Sequence, residues 1–326
     1  LFFNRPESLS QVFEQVKKAR PSKLFLYQDG PRGEQDMTGI EACREIVAQI
    51  DWECDVHRMY QEKNYGCDPS EFISQKWAFS VVDKCIVLED DDVPSVSFFS
   101  FCKEMLDRYE NDERVSMIAG FNPEEVTSDM PYDYFFATTF SIWGWASWRR
   151  VLDQWDEHYT FLDDEFNMKK MSSMIKAHKY RSDLIYRCQR HREHGKAFYE
   201  TIFESSFVFN SGLSIVPARN MINNLGAIGN STHYGSSLDI MPQGLRRIFT
   251  MKRYEIEAPL KHPLYVMEDV DYKERIFRIM GWDHPWIKVS RSFEELYLNI
   301  KCGNFSNITK SLTHRIQKWL KIDQHN

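Results

Sequence analysis

The sequence predicts an α/β protein with a mostly parallel sheet in three α/β/α layers, and three observations predict it. Short apolar runs alternate with stretches of helical periodicity through the first 120 residues, which is typical of βαβ units. Turn signals close these runs, as at Asp29-Gly30-Pro31. Of the 326 residues, 42% are hydrophobic, so the chain can form a large core and is not a disordered protein.

The elements follow in chain order. Apolar residues at helical spacing predict helices over 8–19, 39–50, 70–82 and 98–109, and apolar runs predict strands over 1–3, 23–27, 54–58, 84–88 and 115–118. Pro6 suits the start of the first helix, and Pro21 breaks it. Aromatic residues are dense over 135–150, whereas the chain beyond Pro242 is polar and basic. We therefore predict one domain over 1–240 and a mainly helical C-terminal appendage over 241–326.

Charge and cysteine usage exclude several classes of protein. The formal net charge is -7, which argues against a nucleic-acid partner because nucleic-acid binders carry a basic excess. The seven cysteines are scattered without a CxxC pair, so neither a structural zinc site nor a disulfide framework is expected. No apolar run approaches the ~20 residues that span a bilayer. These features predict a cytoplasmic protein with reduced thiols.

Four adjacent carboxylates, Glu89-Asp90-Asp91-Asp92, follow the apolar strand that ends at Leu88. Adjacent like charges repel one another unless a cation offsets them, and hard oxygen ligands suit Mg²⁺ or Mn²⁺. If the strand continued, Glu89 and Asp91 would face one way and Asp90 and Asp92 the other. Ligands bind at the carboxyl ends of strands in such sheets, which makes the cluster a candidate site. A solvated acidic turn is the alternative.

Four segments together resemble a known family. They are Phe3-Asn4-Arg5-Pro6-Glu7 with Tyr27-Gln28-Asp29-Gly30-Pro31-Arg32; Val87-Leu88-Glu89-Asp90-Asp91-Asp92-Val93-Pro94 with Phe98-Phe99; Trp143-Gly144-Trp145-Ala146-Ser147-Trp148-Arg149-Arg150; and Asn210-Ser211-Gly212-Leu213-Ser214-Ile215-Val216-Pro217 with Asn223-Asn224-Leu225-Gly226 and Ser231-Thr232-His233. In this order they resemble the Rossmann-like GT-A glycosyltransferases of the bacterial group related to N-acetylglucosaminyltransferase I. The resemblance covers about residues 1–235.

The resemblance implies a metal site in the acidic cluster. Asp91 matches the position that ligates Mn²⁺ or Mg²⁺, and Glu89 and Asp90 match positions near the ribose and diphosphate. His233 matches a late contact to the metal or the diphosphate. A structural histidine is the alternative for His233.

The resemblance also implies binding residues for a nucleotide-diphosphate sugar. Asp29 matches a nucleotide contact at a strand end, and Arg5 lies beside the first strand end. Trp145, with Trp143 and Trp148, would stack on a sugar ring, although core packing is the commoner role of buried aromatic residues.

Glu200 is the candidate general base. Relatives have a W-D-Y-Q-like segment before the N-G-L-S-I stretch, and Tyr199-Glu200 replaces its Trp-Asp pair in this sequence. The carboxylate is retained, so Glu200 could deprotonate an acceptor hydroxyl. Glu204 is a competitor for this role, and a surface position is the alternative for Glu200.

The predicted function is an inverting, metal-dependent transfer of sugar from a nucleotide-diphosphate donor, with UDP expected, to a glycan or lipid-linked glycan acceptor in bacterial surface polysaccharide synthesis. A sugar nucleotidyltransferase and a non-catalytic binding module are the alternatives. A sugar nucleotidyltransferase normally has an N-terminal glycine-rich phosphate loop, which this sequence lacks. A basic amphipathic segment over 301–321 could place the protein on the inner face of a membrane, or could pack as an ordinary helix.

Overall fold

The computed structural model describes residues 1–227, 238–305 and 307–308, which form a mixed α/β fold. The helices are α1 Pro6–Ala19, α2 Met37–Val47, α3 Cys67–Val81, α4 Ser97–Arg108, α5 Arg149–Leu152, α6 Glu165–Met174, α7 His178–His194, α8 Tyr199–Phe209, α9 Gln243–Thr250, α10 Val270–Met280 and α11 Pro285–Lys301. The strands are β1 Lys23–Gln28, β2 Asp55–Tyr60, β3 Lys84–Val87, β4 Asp92–Pro94, β5 Val115–Ala119, β6 Tyr134–Ala137, β7 Trp145–Trp148, β8 Leu213–Pro217 and β9 Ile222–Asn224. The predicted helices and strands from residue 8 to β5 are confirmed.

Helix α1 shows why the local predictions succeed. Pro6 occupies its first turn, where the missing N–H has no helical partner to lose. Arg20 ends the helix in the left-handed conformation, and Pro21 prevents its continuation. The residues at helical spacing are the ones that the fold buries, namely Leu9, Val12, Phe13 and Val16.

The sheet is not mostly parallel, so that prediction is wrong. A parallel pair, β1 and β2, stands apart from a five-stranded sheet of order β3-β7-β5-β8-β6 in which only β5 and β8 are parallel. A further antiparallel pair joins β4 to β9. Strand–helix alternation, already interrupted between β3 and β4, ends after β5, and β6 and β7 follow without an intervening helix. Antiparallel strands need no helical crossover, which is why the early pattern could not predict them.

The main core is aromatic and contains the predicted aromatic segment. Trp145 of β7 is fully buried, and its ring centroid lies 5.1 Å from that of Phe203 on α8. The ring of Phe79 on α3 is also stacked with this indole, at a centroid distance of 6.5 Å. Helices α3 and α8 are therefore fixed to the five-stranded sheet by aromatic contacts, each of which is worth about 1 kcal/mol beyond the buried area.

The described part of the chain beyond residue 240 contains α9, α10 and α11, with an irregular segment over 251–269 between α9 and α10, and it packs on the sheet. Tyr272 of α10 is buried against Phe135 and Val216 of the sheet. The Glu255 carboxylate accepts hydrogen bonds from the backbone N–H groups of Val96 and Ser97, at 3.0 and 2.7 Å, where α4 begins. The predicted domain boundary at residue 240 stays a prediction.

Within the described ranges, every helix is too short or too polar to cross a bilayer. Of the predicted amphipathic segment over 301–321, residue 306 and residues 309–321 lie outside the described residues.

Candidate functional site

The acidic cluster lies on a turn and not on a strand. β3 ends at Val87 and β4 begins at Asp92, and the Asp92 amide donates to the Glu89 carbonyl at 3.3 Å. The predicted alternation of the four carboxylates is therefore wrong, because side chains alternate only in an extended strand. Asp90 and Asp91 point to the same partner, and Glu89 points elsewhere.

That partner is Arg5, at the start of α1. Its Nη1 atom donates to Asp91 Oδ2 at 2.9 Å, and its Nη2 atom donates to Asp90 Oδ1. The Phe3 amide donates to the other Asp90 oxygen at 3.2 Å. Burial raises the pKa of Asp90, and the Arg5 guanidinium opposes that shift. The predicted site residues Arg5, Asp90 and Asp91 thus lie together, and a guanidinium offsets part of their charge.

Asn224 of β9 completes the cluster, and sequence reasoning had not placed it in the site. Its side-chain nitrogen donates to Asp92 Oδ1 at 3.0 Å and lies 3.4 Å from Asp91 Oδ1. Asp92 also accepts from the Gly144 amide at 2.8 Å. Burial and the charge of Asp91 raise the pKa of Asp92 to about 8. Asp92 therefore links β4 to Asn224 of β9 and to the Gly144 backbone. Asp91 is the carboxylate of the cluster that keeps spare lone pairs.

Gly226 faces Asp91 at close range. A Cβ atom at this position would lie 3.0 Å from Asp91 Oδ2 and 2.8 Å from Asn224 Oδ1. The Gly226 amide donates to that same Asn224 oxygen at 2.8 Å. Only a residue without a side chain leaves this side of the Asp91 carboxylate open.

The donor set fits a divalent cation that brings other ligands with it. Asp91 accepts one hydrogen bond at 2.9 Å and one long contact, which leaves lone pairs on both oxygens. In the described ranges, no three His, Cys, Asp or Glu side chains are arranged to hold a metal ion. Mg²⁺ sites of one or two carboxylates completed by substrate phosphates are common. The predicted ligand His233 lies outside the described residues.

A second acidic group, formed by Glu71, Glu89 and Glu200, borders the cluster. The buried Tyr199 hydroxyl donates to Glu89 Oε1 at 3.2 Å. Burial raises the pKa of Glu89 well above its usual value, and so does the charge of Glu71. Burial and the charge of Glu200 likewise raise the pKa of Glu71 well above its usual value, and Glu71 is 4% exposed. The candidate base Glu200, on the first turn of α8, therefore lies close to the turn that carries Asp91.

Glu71 was not singled out from the sequence, although the pattern of α3 indicates a buried polar site. Ser70, Glu71, Ser74 and Gln75 lie on the buried face of α3, where an amphipathic helix normally has apolar residues. Buried polar residues at helical spacing indicate a polar site beneath the helix.

Glu204, the competing candidate for the general base, is paired with two residues of α7. It accepts from the Tyr180 hydroxyl at 2.7 Å and pairs with Arg187 at 2.8 Å. Its side chain is only 9% exposed. Glu204 therefore links α7 to α8.

Asp29 organises a loop. Its carboxylate accepts from the amides of Gly30, Tyr65 and Gly66 and from the Asn64 side chain, at 2.8–3.2 Å. These bonds fill the roughly four lone-pair positions of a carboxylate. Asp29 therefore holds the 64–66 loop, and its expected contact with a nucleotide stays a prediction.

Trp145 cannot stack on a sugar, so that prediction is wrong. The residue is 0% exposed and packs between aromatic side chains of α3 and α8. Trp148 is also buried, and its Nε1 atom donates to the Leu106 carbonyl at 3.1 Å. Indoles in a buried β-strand serve as core residues, which was the stated alternative.

Comparison with known proteins adds little. No protein-family model matches the sequence, and no curated protein matches it. Among solved structures, a mannosyltransferase from Pyrobaculum calidifontis in complex with GDP-Man and Mn²⁺ is similar over 64% of this chain and 68% of that chain, with 11% sequence identity and a TM-score of 0.33. A likeness of this size carries no argument about function.

Proposed function

We propose that the protein is a glycosyltransferase that moves a sugar from a nucleotide-diphosphate donor to a glycan hydroxyl. The observation that carries the proposal is the convergence of Arg5, Asp90, Asp91 and Asn224 at the end of β3, beside Glu200. This arrangement offers a cation-binding carboxylate next to a second carboxylate that can accept a proton.

Each residue has a separate task in this proposal. Arg5 holds Asp90 and Asp91 in place, and Asn224 and Gly226 set the open side of Asp91. Asp91 would hold Mn²⁺ or Mg²⁺ together with the donor's diphosphate. When bound, such an ion offsets the negative charge that grows on a departing diphosphate.

The chemistry assigned to the chain's own residues is proton transfer. The acceptor hydroxyl oxygen forms a bond to the anomeric carbon, the bond from that carbon to the diphosphate breaks, and Glu200 takes the hydroxyl proton. Attack opposite the leaving diphosphate inverts the anomeric centre. A bacterial surface polysaccharide is the proposed acceptor class, with a glycan or lipid-linked glycan as the substrate.

Titration calorimetry with UDP, with and without Mn²⁺, tests the donor site. We expect UDP to bind at least about tenfold more tightly with Mn²⁺, because the ion would link the diphosphate to Asp91. GDP and TDP serve as comparison nucleotides. If none of the three binds under either condition, the proposal of a nucleotide-sugar site is wrong.

Sugar transfer separates the enzyme from the alternatives. UDP-sugars incubated with candidate glycans should release UDP and extend the glycan. Nucleotide binding without hydrolysis or transfer would favour a binding module. Formation of a nucleotide sugar from a sugar phosphate would favour a nucleotidyltransferase.

Gly226→Ala is expected to weaken Mn²⁺-dependent UDP binding by about tenfold, comparable to the loss of a residue that orients a metal ligand. The added Cβ would displace the Asp91 or Asn224 side chain. Calorimetry measures the change. Gly244→Ala is the matched control, since its Cβ would meet the Arg291 guanidinium, at 3.0 Å, and no residue of the candidate site. Equal UDP affinities in the two variants would contradict the proposed geometry.

A further inference from the structure

Helix α11 exposes its apolar side. The exposed large apolar residues of this helix are Trp286, Val289, Phe293, Leu296, Tyr297 and Ile300. At 3.6 residues per turn their positions fall within an arc of about 100°, so they form one continuous stripe along the helix. We call this set of six residues the α11 stripe.

The other side of α11, which packs on protein, is more polar than the stripe. Its partly buried residues are Ile287, Arg291, Glu294 and Leu298. A helix on a protein surface normally buries its apolar side, whereas Trp286 of the stripe is 82% exposed and Phe293 is 69% exposed. Contiguous exposed apolar residues of this kind mark an interaction surface.

A cavity of about 590 Å³ between α9 and α11 borders the stripe and carries positive charge. Trp286 lines it together with Arg247 of α9 and Arg291 of α11. Each of the two guanidinium groups donates to one backbone carbonyl, at 3.1 and 2.6 Å. Glu294 also lines the cavity and accepts from the Gln243 amide at 2.8 Å. A guanidinium has five N–H donors, so both arginines keep donors for an anion.

The charge of the surrounding sequence has the same sign. Residues 241–326 contain 15 Lys and Arg residues and 10 Asp and Glu residues, a net charge of +5, although the whole chain has a net charge of -7. The stripe therefore lies in the basic part of an acidic protein. A partner surface with negative charge would be attracted to this part of the chain.

We propose that the α11 stripe and the neighbouring cavity dock the protein on a membrane surface that contains anionic lipids. The stripe enters the boundary between headgroups and acyl chains, and Arg247 and Arg291 bind lipid phosphate groups. Helices that lie in the plane of a membrane have Trp, Phe and Leu on one side and cations beside them. Basic residues near the surface add to the binding when the lipids are anionic.

A second copy of the chain fits the stripe less well than a membrane does. Residues 286, 289, 293, 296 and 300 have the spacing of a coiled coil, but they span only two heptads, and a coiled coil is indicated by three or four. Two copies would also bring two basic segments together, and like charges across an interface oppose association.

Sedimentation of the full chain with lipid vesicles tests the docking. One set of vesicles is phosphatidylcholine alone, and the other is an equal mixture of phosphatidylcholine and phosphatidylglycerol. We expect binding to the mixture to be at least about tenfold tighter, because several basic residues face the lipid. Added salt should weaken it, since surface charges are screened.

Phe293→Glu is expected to weaken binding to the mixed vesicles by at least about tenfold, because it replaces a buried apolar contact with a charge that anionic lipid repels. Phe166→Glu is the matched control, since Phe166 lies on α6 and is 64% exposed. It should leave binding unchanged within about twofold. The melting temperature of Phe293→Glu should stay within about 2 °C, because the side chain is exposed in the protein alone.

Arg247→Gln is expected to weaken binding to the mixed vesicles by about fivefold and to leave binding to phosphatidylcholine unchanged, since one basic residue near an anionic surface contributes about that factor. Arg190→Gln is the control. Arg190 lies on α7, is 59% exposed and pairs with Glu193 at only 3.7 Å. Vesicle binding should be the same with Arg190→Gln as with the unchanged chain.

Four results would overturn the proposal. Equal binding to both kinds of vesicle would remove the role of anionic lipid. Binding that Phe293→Glu leaves intact would show that another part of the chain holds the membrane. A dimer in solution that Phe293→Glu dissociates, without vesicle binding, would assign the stripe to a second copy. A fall of more than about 5 °C in the melting temperature of Phe293→Glu would show that the chain itself covers the stripe.

The membrane proposal goes beyond the proposed function and does not depend on it. The vesicle measurements need no nucleotide, metal ion or sugar. Loss of vesicle binding in Phe293→Glu with unchanged binding of UDP would place the two properties in separate parts of the protein.

Discussion

Asp91→Asn is expected to abolish Mn²⁺-dependent binding of UDP, with a loss of affinity of at least about 100-fold. Residues that merely orient a metal ligand cost 10–100-fold when changed, and a ligand itself should cost at least as much. An amide has no formal charge and is a poorer donor to a hard cation than a carboxylate. Titration calorimetry with and without Mn²⁺ measures the loss.

The fold should survive this change. Asp91 is one of four adjacent acids, and its removal relieves like-charge repulsion while Arg5 keeps its pairing with Asp90. We therefore expect the melting temperature of Asp91→Asn to fall by no more than a few degrees. Asp51→Asn is the control, because Asp51 is 73% exposed and pairs only loosely with Arg20, at 3.6 Å. Unchanged Mn²⁺-dependent binding in Asp91→Asn would exclude Asp91 as the metal ligand.

Local signals predicted the elements from α1 to β5, except the short strand β4, because those elements depend on short-range chemistry. Pro6 and Pro21 limit α1 through backbone geometry alone. The apolar run that ends at Leu88 predicted β3 and the position of the acidic cluster. These predictions required no knowledge of which strands pair.

The strand order and direction in the sheet were predicted wrongly, because they depend on pairing between distant parts of the chain. The antiparallel strand β7 lies between β3 and β5, and its position depends on hydrogen bonds between residues far apart in sequence, such as Ile86 and Ala146. No local periodicity encodes that order. The same strand buries Trp145, so the error in topology and the error in the sugar-binding residue have one cause.

Several residues of the candidate site could be named from the sequence, but the contacts between them could not be predicted. Asp90, Asp91 and Arg5 were singled out from the sequence, yet nothing in their spacing indicated that Arg5, more than eighty residues away, would pair with both carboxylates. Asn224 depends on the pairing of β9 with β4. Glu71 was missed because helical periodicity draws attention to apolar positions, whereas its face of α3 is polar.

Glu200→Gln is expected to reduce the rate of sugar transfer by about 10²–10⁴-fold while leaving UDP affinity nearly unchanged. Glutamine keeps the shape of the side chain but cannot accept the acceptor's proton, and general-base catalysis contributes a factor of this size. Mn²⁺-dependent UDP binding depends on Asp91 and not on Glu200. Single-turnover transfer and calorimetry, run on the same preparations, measure the two quantities separately.

Glu204→Gln is the matched control, four residues further along α8. It should keep the transfer rate within a few fold and lower the free energy of unfolding by about 1–3 kcal/mol, because it removes a partner of the partly buried Arg187. Arg187 keeps its second partner, Asp183, which limits the loss. A rate loss in Glu204→Gln without one in Glu200→Gln would reverse the assignment. Full activity in both variants would show that neither carboxylate of α8 acts as the base, and Glu71 of α3 would be the next carboxylate to replace.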